Sequence, residues 1–405
     1  MTWMLGAAGL LGAYVVAELA ARWWLRHDNF YAVWLPGTRL QLHPDRGRLP
    51  EYEPTLRIAI NADGERGAEV RGASRGLYRI LAAGGSAVEG HSLDQASNWP
   101  AVLEELLNAP LSLRRLGAAR VHVGGVGRSA VTAQDVDHIF RRVLPRYRQP
   151  DAVLLLIGAG DVVRWLARGA PVDTPAPSNA VTDLFACHPE GPFAWSPRGS
   201  ALRRLAGRWR HRWLRPVKVS HGAGRWITEA RAMRAAATEM RTTTGDPAVM
   251  LDAFAHYLRS SLERASTVAR RVVLLQTPWF EKDYTPEEAA HMWHGGLGHP
   301  WQRQRINAYY AFEVVNRLMR QMDERAARVA EDLGVERLDL KPVLEPSLQD
   351  YFDYTHFTPA GARKVAQAVA ARLLRQPGIE AEREAGVRWR ARTHDPARSS
   401  QPQLR

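Results

Sequence analysis

Leu77-Tyr78-Arg79-Ile80-Leu81-Ala82-Ala83-Gly84-Gly85-Ser86 is a short apolar run that breaks into a glycine turn and presents a serine. A run of this length, closed by turn residues, reads as a buried strand. The same pattern returns along the chain. Ala119 to Val123 ends in Gly124-Gly125-Val126-Gly127, and Asp151 to Ile157 ends in Gly158-Ala159-Gly160-Asp161. Arg271 to Gln276 and Arg337 to Leu340 supply two further strands. Between them lie stretches with helical apolar spacing: one starting near Asn98, one from about Asp252 to Ala269, and one from roughly Gln302 to Leu333. The last runs from Ala362 to Leu374, with Thr358 as cap and Pro359 in its first turn. Continuous apolar strands alternating with helices predict an α/β chain: a three-layer α/β/α sandwich about a parallel, flavodoxin-like sheet. Turns that follow such strands gather at the carboxyl edge of the sheet, where open α/β folds bind ligands.

The late segment Asp353-Tyr354-Thr355-His356 places a carboxylate and an imidazole three residues apart, just ahead of a helix. With Ser86 they supply the residue types of a hydrolase triad, in which the imidazole takes the serine proton and the carboxylate fixes its tautomer. Each motif has a plainer reading. Most Gly-Gly-Ser turns only solvate backbone, and Asp353 and Thr358 could serve as helix-start caps. The order of the three glycine turns and the Asp-x-x-His is what favours chemistry.

In that order the chain resembles the SGNH, or GDSL-type, hydrolases over roughly residues 56 to 375. The usual Gly-Asp-Ser reads Gly84-Gly85-Ser86 here, and the Asp-x-x-His is intact at Asp353 and His356. The resemblance implies Ser86, His356 and Asp353 as catalytic residues, with an oxyanion hole formed by Ser86, Gly124 and the Gly160 position. The third motif normally reads Gly-x-Asn-Asp, so Gly160 stands where the family has the oxyanion-hole asparagine. A slow enzyme accelerated by Gly160→Asn is the resulting expectation.

Composition bounds the rest. A 405-residue chain with 45% hydrophobic residues suits one globular domain with appendages. Its formal charge of +13 is concentrated in arginines from Arg203 to Lys218 and in the C-terminal tail. No nucleic-acid-binding signature accompanies the charge, so an anionic membrane surface is the expected partner. The single cysteine, Cys187, excludes an intramolecular disulfide.

Residues Trp3 to Trp24 form an apolar stretch long enough to cross a bilayer as a helix, with tryptophans at both ends. It lacks a basic start and a small-x-small cleavage site, so an uncleaved anchor is expected over residues 1–26, then a linker over 27–55. Arg22 and Arg26 argue for a cytoplasmic domain, whereas the family resemblance points to an extracytoplasmic one, acting on an envelope glycan or lipid. Two insertions interrupt the domain, at about 167–224 and 278–300, and residues 376–405 form a charged tail read as disordered. In the first insertion, Leu202, Leu205, Trp209 and Trp213 share a helical face among arginines, as in an interfacial helix. In the second, Trp279, Phe280 and Trp293 are expected to bind substrate at the sheet edge. His291, His294 and His299 in that loop lack an Asp or Cys that completes a ligand spacing, so no metal is expected. The resemblance requires no cofactor. It implies an ester hydrolase or acyltransferase, and the competing class is a catalytically silent relative that binds a glycan or a protein.

Overall fold

A computed structural model describes residues 2–27, 33–70, 75–147, 150–173, 200–214, 217–302 and 304–375. Residues 174–199 of the first insertion, Cys187 among them, Arg215 and the tail lie outside the described residues.

The central sheet is built from β3 (Leu77–Gly84), β4 (Arg120–Gly127), β5 (Ala152–Leu156), β8 (Arg271–Gln276) and β10 (Glu336–Asp339). All adjacent pairs are parallel, in the spatial order β10-β8-β5-β3-β4. Renumbered by first appearance this is the 2-1-3-4-5 order of flavodoxin-like sheets. β5 is buried along its whole length, which is why it reads as an unbroken apolar run. Helices α3 (Trp99–Leu107) and α12 (Pro359–Leu374) pack together in one layer, and α5 (Ala133–Val143), α9 (Ala248–Val268) and α11 (Phe312–Leu333) in the other. Thr358 caps α12 by accepting from Gly361 N–H at 3.1 Å, with Pro359 in the first turn. The expected helix from Gln302 begins only at Phe312, because Ala308–Tyr310 form a strand, β9, paired in parallel with β7 (Glu239–Arg241).

The expected linker contains structure. β1 (Arg39–Pro44) pairs antiparallel with β2 (Leu56–Ala59) and parallel with β6 (Val217–Ala223), which comes from the first insertion. This small sheet joins two segments far apart in the chain.

The N-terminal segment does form a helix, α1 (Thr2–His27), but the transmembrane expectation is not met: no helix among the described residues is long and apolar enough to cross a membrane. Glu18 and Arg22 interrupt the apolar run and are buried, paired at 2.9 Å. Their partner surface is the helix predicted within the insertion, α7 (Ala201–Leu214), against which Ala21 and Leu25 pack.

Candidate active site

Gly84 ends β3 with φ +150, and a Cβ there would come within 1.9 Å of the Leu156 carbonyl oxygen of β5. Only glycine lets the chain leave the sheet this close to its neighbour. The next residues, Gly85 and Ser86, turn into the four-residue helix α2 (Ser86–Glu89), so Ser86 stands half-buried above the carboxyl edge. As the first residue of α2, its N–H has no intrahelical acceptor.

From the other side of the site, the chain between residues 351 and 357 closes on itself. Phe352 N–H donates to His356 O at 2.8 Å, and the loop is pinned by Tyr354, whose hydroxyl donates to Asn316 Oδ1 of α11 at 2.6 Å. Phe280 N–H donates to Tyr354 O at 2.9 Å. A loop held by two layers of the fold presents its side chains in fixed positions. His356 Nε2 lies 2.8 Å from Ser86 Oγ, and His356 Nδ1 lies 2.9 Å from both Asp353 oxygens. Thus the structure brings together three residues that are up to 270 positions apart in the chain.

Asp353 is fully saturated. Its Oδ1 accepts from Thr355 N–H and His356 N–H, each at 3.0 Å, and its Oδ2 accepts from Trp293 Nε1 at 2.8 Å. Burial would raise its carboxyl, but the His356 charge and these hydrogen bonds outweigh burial and hold it well below the usual carboxylate range. Burial likewise opposes the His356 imidazolium, and here the Asp353 charge and hydrogen bond win, raising it above its usual value. The pair is therefore a fixed anion beside a ring that readily accepts a proton.

Trp293 is accordingly a neighbour of the triad carboxylate rather than a surface for substrate. Trp279 and Phe280 are also buried, the latter stacked on Tyr351 with centroids 5.4 Å apart. The three aromatic residues expected to bind substrate are core. Their sequence signal, aromatics in a loop after a strand, is shared by loops that pack inward.

Gly124 does not reach the serine. It pairs with Leu81 inside β4, whereas Gly127 is the residue opposite Gly84, so Gly124 lies about 10 Å back along the strand at ~3.3 Å per residue. Gly125 exchanges both backbone hydrogen bonds with Arg66, so by alternation the N–H of Gly124 faces β3 and belongs to the sheet. What requires glycine at 124 is the Glu65 carboxylate, which would meet a Cβ at 2.2 Å. Glu65 is bonded to His122 at 2.9 Å, and His122 also faces Glu104 at 3.1 Å. Burial opposes charge on His122, but the two carboxylates lift it to about 9. This buried network supports β4 from beneath the edge.

The third turn follows β5. Gly158, with φ +140, precedes α6 (Ala159–Ala167). At Gly160 the Val131 carbonyl oxygen would stand 2.1 Å from a Cβ. Main chain of the loop after β4 occupies the space into which an asparagine would extend. Asp161 clamps that same loop: both its oxygens accept from Ala133 N–H at 3.1 Å. Burial, with Asp135 nearby, pushes its carboxyl up to about 8.

Of the three loop histidines, only His294 joins the site. It is buried, stacked on Trp293 with centroids 3.8 Å apart, and its ring centroid is 6.0 Å from that of His356. Burial holds its imidazolium down at about 3, so the ring is neutral. One ligand atom each from His294, Asp353 and His356 fall within 4.8 Å of one another. Asp353 and His356 are already engaged with each other and with Ser86. A separate cavity of about 550 Å³, bordered by Arg39, Arg57, Glu69, Asp94 and Glu104, has none of the triad in its wall.

Fold and site together are those of an α/β protein with a hydrolase-type Ser-His-Asp constellation at the carboxyl edge of a parallel sheet. Residues 303–399, which include Asp353 and His356, match the family model described as SGNH hydrolase-like domain, acetyltransferase AlgX. The resemblance to the SGNH hydrolases is thus met by a family model over the segment that carries the Asp-x-x-His. Comparison with curated proteins gave no match. Similar solved structures include Axe2, an acetylxylan esterase from Geobacillus stearothermophilus, at 15% identity and TM-score 0.39, covering 74% of this chain and 94% of that one. A member of the lipolytic protein G-D-S-L family from Veillonella parvula is similar at 10% identity and TM-score 0.38, covering 74% of this chain and 100% of its own.

Proposed function

We propose that the chain is a serine esterase or O-acyl hydrolase that uses Ser86, His356 and Asp353, and that it can pass the acyl group to an alcohol as well as to water. The observation that carries this reading is the continuous hydrogen-bond line from Ser86 Oγ through the His356 ring to Asp353. Ser86 Oγ attacks the ester carbonyl while His356 Nε2 takes its proton. The oxyanion is met by the N–H of Ser86, which α2 leaves without an acceptor. His356 returns the proton to the departing alkoxide, leaving an acyl-Ser86 ester and a free alcohol. Water or a second alcohol then gives its proton to His356 and attacks the acyl carbon, and Ser86 recovers the proton as it departs. Asp353 stays ionised throughout and holds the Nδ1 proton.

An acetylated or otherwise acylated envelope glycan or lipid is the substrate class we propose, in keeping with the acetyltransferase description of the matching family model. The catalytically silent alternative draws its support from Gly160, where a side-chain donor is absent and its space is filled. Hydrolysis of a short-chain aryl ester by the full chain, compared with Ser86→Ala, separates the two. The esterase reading requires turnover that Ser86→Ala abolishes; equal rates in both proteins would leave the binding reading in its place.

A further inference from the structure

α1 divides at Glu18. Below it, every residue from Gly6 to Ala17 is exposed, and none of them is charged. Leu10, Leu11 and Val16 are 76%, 65% and 67% exposed. A helix apolar on all sides is stable where something apolar surrounds it, and the described residues of this chain supply no cover. Above Glu18 the helix is fastened. The Glu18 carboxylate accepts from Ala201 N–H at 2.8 Å, Leu202 N–H at 3.2 Å, Ser200 Oγ at 2.9 Å and Arg22 Nε at 2.9 Å. It therefore caps the start of α7 from a helix 183 positions away in the chain, and neutralises Arg22 as it does so.

That junction orients two kinds of surface. The part of α1 ahead of Glu18, Thr2–Ala17, extends about 24 Å at 1.5 Å per residue, short of the roughly 30 Å hydrocarbon core of a bilayer. At the fastened end, Trp23 and Trp24 of α1 and Trp209 and Trp213 of α7 are exposed, together with Arg203, Arg210 and, on β6, Lys218. Tryptophan is the side chain of the headgroup layer, and exposed arginine and lysine complement lipid phosphate.

We propose that α1 and α7 form a docking surface for an anionic phospholipid bilayer, with Gly6–Ala17 entering one leaflet and the tryptophans and cations lying at headgroup depth. The surface is separate from Ser86, and the proposal stands whether or not the triad turns over.

The test is flotation of the full chain with phosphatidylcholine vesicles that contain or lack phosphatidylglycerol. Flotation with the anionic vesicles, weakened by added salt, is expected. Leu11→Asp/Val15→Asp should lower partitioning by tenfold or more, and Arg203→Gln and Arg210→Gln by roughly fivefold each on anionic vesicles. All four positions are exposed, so the variants should keep the wild-type melting temperature and aryl-ester activity. Wild-type protein left at the bottom of the gradient with both vesicle types would overturn the proposal. So would a vesicle-independent oligomer that Leu11→Asp converts to monomer, which would make the occupant of this face a second copy of the chain. Retention on vesicles after alkaline carbonate washing would also contradict it, since a helix entering one leaflet should be stripped.

Discussion

Trp293 Nε1 donates to Asp353 Oδ2 at 2.8 Å, so the indole is the only side chain besides His356 that is hydrogen-bonded to this carboxylate among the described residues. Two backbone N–H groups complete the shell, and all of these donors come from loops at the same edge of the sheet. The indole draws on negative charge that would otherwise act on the His356 ring.

Trp293→Phe keeps the ring and removes the donor. A hydrogen bond to a charged group contributes about 1.5–3 kcal/mol, so kcat/KM for an aryl ester should fall by roughly 10- to 100-fold. The acid limb of the pH profile should also move to higher pH, because the carboxylate then stabilises the imidazolium more strongly. A loss of folded protein with an unmoved limb would reduce Trp293 to a packing residue.

The pH dependence of the wild type follows from the same pair. His356 acts as base only when neutral, and Asp353 raises it above its usual value of about 6.5. Activity should therefore rise with pH through a single ionisation above about 6.5. A limb centred well below that value would contradict the Asp353–His356 coupling.

Much of this site was legible in the sequence, for physical reasons. Four strands of the central sheet, β3, β4, β5 and β8, are buried along most of their length and announce themselves as apolar runs, whereas β10 alternates between half-buried and exposed residues. Ser86 follows a glycine turn, and Asp353 and His356 stand just ahead of a helix cap. What the sequence hid depends on partners distant in the chain. β1 and β6 define each other only by pairing across the fold. Glu18 looks like a flaw in an apolar helix until the start of α7 is placed on it. Gly124 and Gly127 are equally glycine in a sequence, and only the register against β3 shows which lies at the edge. Trp279, Phe280 and Trp293 have the composition of a binding loop and the burial of a core.

Gly160 shows how packing reverses an expectation. An asparagine there would restore the family motif, but the Val131 carbonyl oxygen stands 2.1 Å from where its Cβ would lie. Gly160→Asn should be destabilised by about 1–3 kcal/mol in urea unfolding, with hydrolysis no faster than wild type. Faster hydrolysis by a stably folded variant would mean that the loop after β4 yields and lets the amide into the oxyanion hole.

The network beneath β4 predicts a stability profile. His122 is lifted to about 9 when folded, against about 6.5 unfolded, so its contribution is fully present below about 6.5 and is lost as pH rises through about 9. His122→Leu removes one of the two cations beside Glu65 and leaves Arg79 at 3.3 Å, so it should cost about 1.5–3 kcal/mol at pH 6, with a smaller deficit at pH 10. Denaturant titrations of both proteins at the two pH values measure this, and an equal deficit at both would remove the charge argument.

The central claim is that Ser86 is an activated nucleophile, and covalent labelling tests it without knowledge of the substrate. The full chain is treated with a fluorophosphonate and the modified peptide is located by mass spectrometry, alongside Ser86→Ala and His356→Ala. The account predicts one stoichiometric adduct on Ser86, absent from the first variant and at least a hundredfold slower in the second. An unlabelled wild-type chain, or an adduct that forms equally fast without His356, would contradict it.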